Sequence, residues 1–480
     1  MSETIKTQAV KGIAWSAAER FSVQGVTFLV QLVLARLLSP ADYGIIGLLV
    51  VFIQVAQVFI DSGFANALIQ KQKCTTEDYC TVFYYNVLIS LVIYVIFFFT
   101  APFVASFYHD ELLTKVMRVV SIVIVINSLS IVQKTQLVKN VDFRSQTIIS
   151  LLSVFISGTC GILMAYYGYG VWALCAQQIL NSICMLIGYC ICVRWIPRLI
   201  FSRHSFNSLF GFGSKLLIAS LISTIYKNLY TLVIGKAYNT AELGNYSRAE
   251  QFAMFPSNNL GNIIARVALP VFSKIQDDTP QLCSAYRRII QYSSYLIFPL
   301  MCGLIAIAKP LIIVLLTEKW IGVVPLLQIL CFDWMLDHLS VINLNLLYVK
   351  GRSDWALRLE IIKKSIAVII LIATIPFGLT VMCWGRVLYS VIATVINTHY
   401  TRILINLNFF QQMMDILPFL LGALVMAITV YCINMFITST MLQLLIGIAV
   451  GIFCYALITL VAYTEIRTRI FTYIRNLRKK

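Results

Sequence analysis

Charged residues are scarce in this chain. Only 12% of its 480 residues are Asp, Glu, Lys or Arg, whereas hydrophobic residues make up 60% and the mean hydropathy is +0.85. Soluble globular proteins carry about 25% charged residues, so this composition excludes a water-soluble fold for most of the chain. The solvent of the protein is therefore mainly lipid, and we expect no extramembrane domain of any size.

The sequence also lacks a cleavable secretory signal, a disulfide framework and a clustered basic face. The N-terminal segment MSETIKTQAVKGIAWSAAER has no short apolar region with a small-residue cleavage site, so the first helix is expected to target the chain. Ten of the 13 cysteines fall in apolar stretches rather than in loops. The net charge of +17 comes from basic residues that punctuate apolar runs, which argues against nucleic acid as a partner.

Long apolar runs separated by short polar breaks make up nearly the whole chain. A membrane helix needs about 20 mainly apolar residues. Membrane barrels alternate over about ten residues instead, so the predicted fold is all-α and polytopic, with about 14 transmembrane helices. The expected spans are 12–38, 44–66, 81–106, 113–133, 147–167, 171–194, 208–235, 246–272, 286–308, 322–349, 356–375, 379–401, 416–437 and 441–464.

The positions of Lys and Arg predict the orientation of these spans. If the N-terminus is cytoplasmic, 25 of the 37 basic residues lie in cytoplasmic segments, six in outer loops or outer helix ends, and six within spans. Short cytoplasmic loops accumulate Lys and Arg. We therefore expect both termini to be cytoplasmic, which an even number of spans allows.

A short internal repeat occurs at an offset of 200 residues, where LVLARLLSPADYG (32–44) aligns with LVIGKAYNTAELG (232–244). Six spans separate the two copies, so their orientation is the same and the repeat is parallel. The alignment pairs Arg36 with Lys236, Ala41 with Ala241, Asp42 with Glu242 and Gly44 with Gly244. This match predicts two lobes related by an axis along the membrane normal, with a cavity between them.

The predicted domains follow from that repeat. An N-terminal six-helix lobe covers 1–200, and a C-terminal six-helix lobe covers 201–405. Two additional helices and a basic cytoplasmic tail, ending in FTYIRNLRKK, cover 406–480. A basic juxtamembrane tail of this kind fixes topology and contacts anionic lipid.

Two segments resemble a known family. LARLLSPADYGIIGLLVVFIQVAQVFIDSGFANALIQKQ (34–72) and GYGVWAL (168–174) are similar to the polysaccharide-transporter branch of the multidrug/oligosaccharidyl-lipid/polysaccharide flippase superfamily. The likeness covers essentially the whole chain, and the span count is similar to that of the lipid II flippases of that superfamily. The resemblance implies a bacterial inner-membrane flippase for undecaprenyl-pyrophosphate-linked O-antigen, capsule or exopolysaccharide repeat units, working by alternating access. It leaves open a partnership with a polysaccharide polymerase and export machinery.

Six basic residues lie within the predicted spans, where an ionisable group is costly unless it faces a wet cavity or a partner. They are Arg20, Arg36, Lys215, Lys227, Arg266 and Arg386. A diphosphate carries about two negative charges, which lysine and arginine can neutralise. We expect these residues to line a cationic cavity for the head group. Arg20, preceded by Glu19, is the foremost candidate, because the first helix of related flippases is similar in carrying an arginine. Alternatively, Glu19 and Arg20 form a local ion pair, Arg36 and Lys215 reach the membrane interfaces, and Arg386 pairs with a carboxylate.

Two acidic residues, Asp333 and Asp337, lie near the middle of the tenth predicted span, beside His338. A spacing of four places both carboxylates on one helix face. Such a pair can bind a proton or a sodium ion and couple its gradient to the conformational switch. Structural salt bridges to Lys227 or Arg386 explain the same residues equally well.

Three motifs suggest other chemistry, but their surroundings argue against it. GFGSKL (211–216) resembles a phosphate-binding loop, yet no strand precedes it and it ends in leucine. YGYG (167–170) is expected to be a tight turn between two spans rather than a channel filter. Cys184, Cys190 and Cys192 have no partners that would complete a zinc tetrahedron. No metal or cofactor is therefore expected.

Rival functions fit the sequence less well. An ion-coupled exporter of small cationic or amphipathic drugs, from the same superfamily, would need an apolar, aromatic and acidic site, whereas this one is basic. A membrane polymerase or glycosyltransferase would need a sizeable extramembrane loop and a positioned acid or base, which the short loops do not provide. A channel is disfavoured because a two-lobed repeat implies rocking between states. The sequence therefore predicts a transporter rather than an enzyme.

Overall fold

The computed structural model describes residues 22–463, except for the side chains of Phe212, Lys215 and Ala462. All regular structure in this range is helical, including short 3-10 turns at Glu318–Trp320 and Ile375–Phe377. The α-helices are α1 (Ser22–Leu37), α2 (Pro40–Asp61), α3 (Phe64–Gln70), α4 (Thr76–Tyr108), α5 (Leu112–Val120), α6 (Ile122–Lys139), α7 (Phe143–Tyr166), α8 (Val171–Val193), α9 (Arg203–Ala237), α10 (Thr240–Lys274), α11 (Thr279–Ala306), α12 (Ala308–Leu316), α13 (Val323–Met335), α14 (Asp337–Val349), α15 (Ser353–Thr374), α16 (Leu379–Ile405), α17 (Phe409–Met435) and α18 (Thr440–Ala462).

The prediction of an all-α polytopic membrane protein is confirmed. Within residues 22–463, eleven helical segments are long and apolar enough to cross a membrane, and α1 is a shorter apolar helix. Each of the fourteen predicted spans coincides with one helix or with two adjoining helices, such as α5 and α6 for 113–133. The predicted spans 246–272 and 356–375 correspond to α10 and α15, which lie outside the set of eleven. The first part of the first span, 12–21, lies outside the described residues.

The chain divides into two compact units, residues 1–244 and 245–480. In the first unit α7 packs against α8, α4 against α6, and α2 against α9. In the second unit α11 packs against α17, α17 against α18, and α15 against α16. The predicted division differs from these units and stays a prediction. It has lobes at 1–200 and 201–405, with two additional helices at 406–480.

Close backbone contact fixes α9 against α2. A Cβ atom on Gly63, which has a left-handed φ of +74°, would lie 2.8 Å from the carbonyl oxygen of Gly213, and a Cβ on Gly213 would overlap the carbonyl oxygen of Ser62. Toward the other end of α9, a Cβ on Gly235 would lie 3.0 Å from Leu48. Glycine allows the two backbones to touch because it has no side chain. The seventh predicted span is thereby packed into the first unit.

Two of the misleading motifs now have a structural context. GFGSKL lies inside α9, where Gly213 makes the contact with the turn after α2 rather than forming a phosphate loop. YGYG joins α7 to α8, and both of its glycines have positive φ, +82° at Gly168 and +55° at Gly170. The prediction of a tight turn at this position is confirmed.

The internal repeat is visible in the helix boundaries. Helix α1 ends at Leu37 and α9 at Ala237, whereas α2 begins at Pro40 and α10 at Thr240. The residues before α2 and α10 cap them in the same way: the Ser39 hydroxyl accepts from the Asp42 N–H at 3.3 Å, and Asn239 Oδ1 accepts from the Glu242 N–H at 2.8 Å. Side-chain capping of this kind defines where a helix starts. The predicted equivalence of the two turns is confirmed.

The two equivalent turns also contact each other reciprocally. A Cβ on Gly44 would overlap the carbonyl oxygen of Thr240, and a Cβ on Gly244 would overlap the carbonyl oxygen of Pro40. Residues 40 and 240 are themselves equivalent in the repeat, so each copy presents the same surface to the other. Reciprocal contact of this type is the signature of a local two-fold axis.

We expect Gly44→Ala to destabilise the protein, because the new methyl group must displace a carbonyl oxygen. Forcing extra atoms into a packed contact costs about 1–3 kcal/mol. Gly25→Ala is the matched control, since a Cβ there meets nothing within 4 Å. The measurement is the midpoint of chemical denaturation of the purified chain in detergent. Equal midpoints for the two variants would show that the backbone contact at Gly44 is not close in solution.

Candidate functional site

Arg386 on α16 is at the centre of an ion-pair cluster in the second unit. Its Nη2 lies 2.6 Å from Asp333 Oδ2, and its Nη1 lies 2.5 Å from both Glu250 Oε2 and the hydroxyl oxygen of Tyr246. The Arg386 side chain is 14% exposed. A guanidinium can serve two carboxylates at once because its donors form a planar fork. The sequence left open whether Arg386 and Asp333 serve a binding site or form a salt bridge, and in the structure they form a salt bridge with each other. Glu250 is a second partner of Arg386 that the sequence analysis missed.

A polar cavity of about 260 Å³ opens beside this cluster. Its lining comes from the helices α13 to α16. The residues that line it are Asp333, Trp334, Asp337, Ser340, Val341, Leu344, Glu360, Lys363, Arg386, Tyr389, Ser390 and Ala393. A cavity with this many ionisable side chains inside membrane-spanning helices is a functional candidate, because such groups are costly in lipid.

The cavity and its cluster carry more acidic than basic groups. Lys363 Nζ lies 2.6 Å from Glu360 Oε1, so both cations that line the cavity already have carboxylate partners. Asp337 takes part in no hydrogen bond or ion pair within residues 22–463, although Lys363 and Arg386 are the cations that act on it electrostatically. Asp337 is therefore the carboxylate most available to a cation or a proton.

His338, which is adjacent in sequence, turns away from this cavity. It is fully buried, its Nε2 lies 3.0 Å from the Ser294 hydroxyl, and its Nδ1 lies 2.9 Å from the Met335 carbonyl oxygen. Helix α13 ends at Met335 and α14 begins at Asp337, so the helix is interrupted at Leu336, between the two aspartates. His338 serves packing between α14 and α11 rather than the cavity.

The other basic candidates are not brought together by the described contacts. Lys227 on α9 and Arg266 on α10 are exposed and form no ion pair within residues 22–463. Arg36 is exposed at the end of α1. The list of candidates also includes Arg20 and Glu19, which lie outside the described residues, and Lys215, which lies on α9 with its side chain outside the description. A shared cationic site for these residues stays a prediction.

An amide pair that the sequence analysis did not consider links α2 to α9. Asn228 Nδ2 donates to Gln54 Oε1 at 2.9 Å, and it also donates to the Thr224 carbonyl oxygen at 2.9 Å. All residues of α2 are described, and only Gln54 and Phe59 among them are exposed. The available signal was a glutamine within the apolar run IIGLLVVFIQ (45–54). It was missed because only ionisable residues were sought.

A buried polar network ties together four helices of the second unit. The Tyr286 hydroxyl donates to Asn343 Oδ1 at 2.6 Å, and the Thr401 hydroxyl donates to the same oxygen. The next residue along α11, Arg287, makes a bidentate ion pair with Asp415 on α17, at 2.7 and 2.6 Å. Hydrogen bonds of this kind hold membrane helices together, each contributing about 0.6 kcal/mol on average. The network links α11 to α14, α16 and α17, and two of these helices, α14 and α16, line the cavity.

Comparison with known proteins gives one family and several relatives, one of which is matched over nearly its full length. A sequence profile of the family described as "Polysaccharide biosynthesis protein" matches residues 33–325. The chain is 24% identical to the teichuronic acid biosynthesis protein TuaB of Bacillus subtilis, over 97% of this chain and 98% of that protein. It is 26% identical to the lipopolysaccharide biosynthesis protein WzxC of Escherichia coli, over 75% and 74% of the two chains. It is 25% identical to the succinoglycan biosynthesis transport protein ExoT of Rhizobium meliloti, over 69% and 68%.

Two solved structures share the fold. The lipid II flippase MurJ in an inward closed conformation superimposes with a TM-score of 0.75, at 15% identity, over 95% of this chain and 99% of that one. An inward-facing multidrug transporter of the MATE family superimposes with a TM-score of 0.59, at 16% identity, over 81% of this chain and 98% of that one. At these identities the likeness concerns the fold alone.

We expect Arg386→Gln to destabilise the protein strongly, because it leaves the buried Asp333 and the partly buried Glu250 without their shared cation. Breaking a buried pair from one side costs about 3–5 kcal/mol. Adding Asp333→Asn to this variant removes one of the two uncompensated charges and should restore part of the loss. The measurement is chemical denaturation in detergent, with Asp354→Asn as the control.

The control removes an exposed ion pair, between Arg352 and Asp354 at 3.6 Å, which contributes at most about 1 kcal/mol. If Arg386→Gln lost no more stability than Asp354→Asn, the cluster around Arg386 would not be a desolvated ion-pair network.

Proposed function

The chain belongs to the polysaccharide biosynthesis protein family, and we propose that it flips undecaprenyl-pyrophosphate-linked oligosaccharide repeat units from the cytoplasmic to the periplasmic leaflet. It is a membrane transporter and not an enzyme. The observation that carries the proposal is the match to relatives named for teichuronic acid, lipopolysaccharide and succinoglycan biosynthesis, over 97%, 75% and 69% of this chain, on a fold shared with a lipid II flippase. These names favour a lipid-linked saccharide over a small cationic drug as the substrate.

The setting of the proposed transport is the bacterial inner membrane, with a multi-pass chain that works by alternating access. We place both termini in the cytoplasm, because 25 of the 37 basic residues then lie on the inner side. Contact with a polysaccharide polymerase and export machinery stays a prediction from the family resemblance.

We infer that the diphosphate head group is held by basic side chains of the membrane helices. Lys227 and Arg266 support this, since both are exposed on helices within predicted spans and neither has an ion-pair partner in the described part of the chain. Arg20 with Glu19, Arg36 and Lys215 complete the proposed set. Arg386 belongs to it only if the substrate displaces one of its two carboxylates, because Asp333 and Glu250 already balance its charge.

We further infer that Asp337, with Asp333 beside it, couples an ion gradient to the conformational change. Asp333 is held by Arg386, whereas Asp337 faces a polar cavity without a hydrogen-bond partner within residues 22–463. A carboxylate in that position can exchange a proton or a cation with an aqueous cavity, as carboxylates in transporters do. Asp333 then acts by positioning the cluster and Asp337 by binding the ion.

Flipping of a fluorescent undecaprenyl-pyrophosphate oligosaccharide in proteoliposomes tests the proposed function. We expect wild-type protein to flip the lipid, and we expect Arg20→Ala and Arg266→Ala to reduce the rate at least about tenfold, since a diphosphate loses a charge-assisted contact in each. Control liposomes contain the Arg352→Ala variant, which removes an exposed arginine at the start of α15. Absence of flipping by well-folded wild-type protein with several such lipids would favour drug export instead.

Coupling is tested with the same proteoliposomes under an imposed proton or sodium gradient. We expect Asp337→Asn to remove the stimulation by the gradient while leaving slow downhill flipping intact, because the neutral amide keeps the shape of the side chain but cannot exchange the ion. Asp333→Asn with Asp337→Asn should give the same loss. Asp277→Asn, an exposed carboxylate between α10 and α11, is the control. Unchanged gradient dependence in the double variant would refute coupling through these residues.

A further inference from the structure

The amide pair between α2 and α9 has hydrogen-bonding groups left over. Asn228 uses its amide nitrogen for Gln54 Oε1 and for the Thr224 carbonyl oxygen, at 2.9 Å each. Gln54 Nε2 and Asn228 Oδ1 have no partner within residues 22–463. The pair therefore presents two N–H donors and one acceptor on the exposed surface of α2 and α9.

The position of this pair requires water around it. Gln54 is the fifteenth of the 22 residues of α2, and Asn228 lies inside the apolar segment Leu216–Ala237, so both lie well within membrane-spanning segments. An amide group in hydrocarbon without a partner costs several kcal/mol. Lys227, the next residue along α9, is also exposed without an ion-pair partner in the described range, and its ammonium group needs water even more. Three polar groups close together in sequence or by hydrogen bonding indicate a surface that faces water rather than lipid.

A purely structural role accounts for the pair less well. Amide bonds between membrane helices commonly serve as packing contacts, and the bond between Gln31 and Gln177 at 3.3 Å, with the Tyr43 hydroxyl also 3.3 Å from Gln31, is a partly buried example in the same unit. Such bonds contribute about 0.6 kcal/mol when buried. The bond between Gln54 and Asn228 is exposed instead, and it leaves the Gln54 amide nitrogen unused.

The surface of α2 and α9 around Gln54 and Asn228 is also held rigidly, as a binding surface should be. Helix α9 is fixed against α2 on both sides of the pair, by the backbone contact of Gly213 with Ser62 and Gly63 and by the contact of Gly235 with Leu48. These contacts leave little freedom for the two helices to slide. The two amides, which bond to each other across the helices, are thereby preorganised.

We propose that Gln54 and Asn228 form a binding site for sugar hydroxyls next to the phosphate of the lipid-linked saccharide, with Lys227 on the phosphate. An amide donor beside an amide acceptor suits vicinal hydroxyl groups, which both donate and accept, whereas an ammonium group suits phosphate oxygens. Lys227 and Asn228 are consecutive on α9, about 1.5 Å apart along the helix axis and about 100° apart around it, and the long lysine side chain allows its ammonium group to reach the phosphate of a sugar held by the amides. This site rests on the proposed function and adds to it the residues that recognise the sugar.

The test measures ligand-induced stabilisation of the purified full chain in detergent. The probes are undecaprenyl pyrophosphate alone and undecaprenyl pyrophosphate that carries one glucose, galactose or N-acetylglucosamine. A ligand that binds only the folded state raises the melting temperature in proportion to its affinity. We expect wild-type protein to be stabilised by the pyrophosphate lipid and stabilised further by at least one of the sugars.

The variants separate the two parts of the site. Gln54→Leu and Asn228→Leu should lose the increment due to the sugar, equivalent to at least a fivefold weaker affinity (about 1 kcal/mol), and keep the increment due to the pyrophosphate. Lys227→Gln should reduce the pyrophosphate increment, because one of the proposed charge-assisted contacts with the head group is lost. Gln177→Leu, which breaks the partly buried amide pair, should keep both increments while lowering the melting temperature without ligand.

Each contrary result has a distinct meaning. If Gln54→Leu and Asn228→Leu keep the sugar increment, the amide pair does not bind sugar. The same holds if the pyrophosphate lipid stabilises wild-type protein and the sugars add no further stabilisation. In both cases the proposed function stands. If the two variants behave like Gln177→Leu, the pair is a packing contact. If wild-type protein is stabilised by none of the four lipids, the proposed function fails and this site fails with it.

Discussion

A polar side chain inside a bilayer is stable in only two situations, against a partner or against water, and the rest of this structure depends on that constraint. Arg386 takes the first, with two carboxylates and a tyrosine hydroxyl within 2.6 Å. Lys227 and the Gln54 amide nitrogen need the second, since they are exposed on segments apolar enough to span a membrane and have no partner within residues 22–463. Because the cost of violating the constraint is several kcal/mol for each group, exposed polar groups on these segments are the first candidates for a functional role.

Glycine determines how the helices of the first unit come together. Gly44 and Gly244 let the two copies of the repeated turn touch reciprocally, and Gly63 and Gly213 fix the seventh membrane helix against the second. Van der Waals contact between small residues drives helix association in lipid, because apolar side chains gain nothing there by leaving water. The same glycine contacts hold Gln54 and Asn228 in register across α2 and α9. Packing and the candidate sugar site therefore depend on the same small set of residues.

Hydropathy was sufficient to predict an all-α polytopic fold, since continuous apolar runs of about 20 residues have few alternatives in a membrane. The repeat could be predicted at Gly44 and Gly244 because it needs only a comparison of the sequence with itself. The partner of Arg386 could not be chosen, because Glu250 lies 136 positions away and sequence alone offered Asp333 only as one option. Gln54 was missed for another reason: an amide carries no charge, so its cost in lipid is visible only when its exposure is known.

The proposed substrate bears on how much an ion gradient has to contribute. A diphosphate that moves outward carries about two negative charges toward the positive side, which an inside-negative potential favours by about 4.6 kcal/mol per 100 mV, at about 2.3 kcal/mol for each charge. The basic residues do not cancel this gain over a full cycle, because they return to their starting positions without the substrate. One proton that enters through Asp337 would add about 2.3 kcal/mol per 100 mV, roughly half as much. The acidic cavity is therefore better placed to control when the protein changes conformation than to serve as its main source of energy.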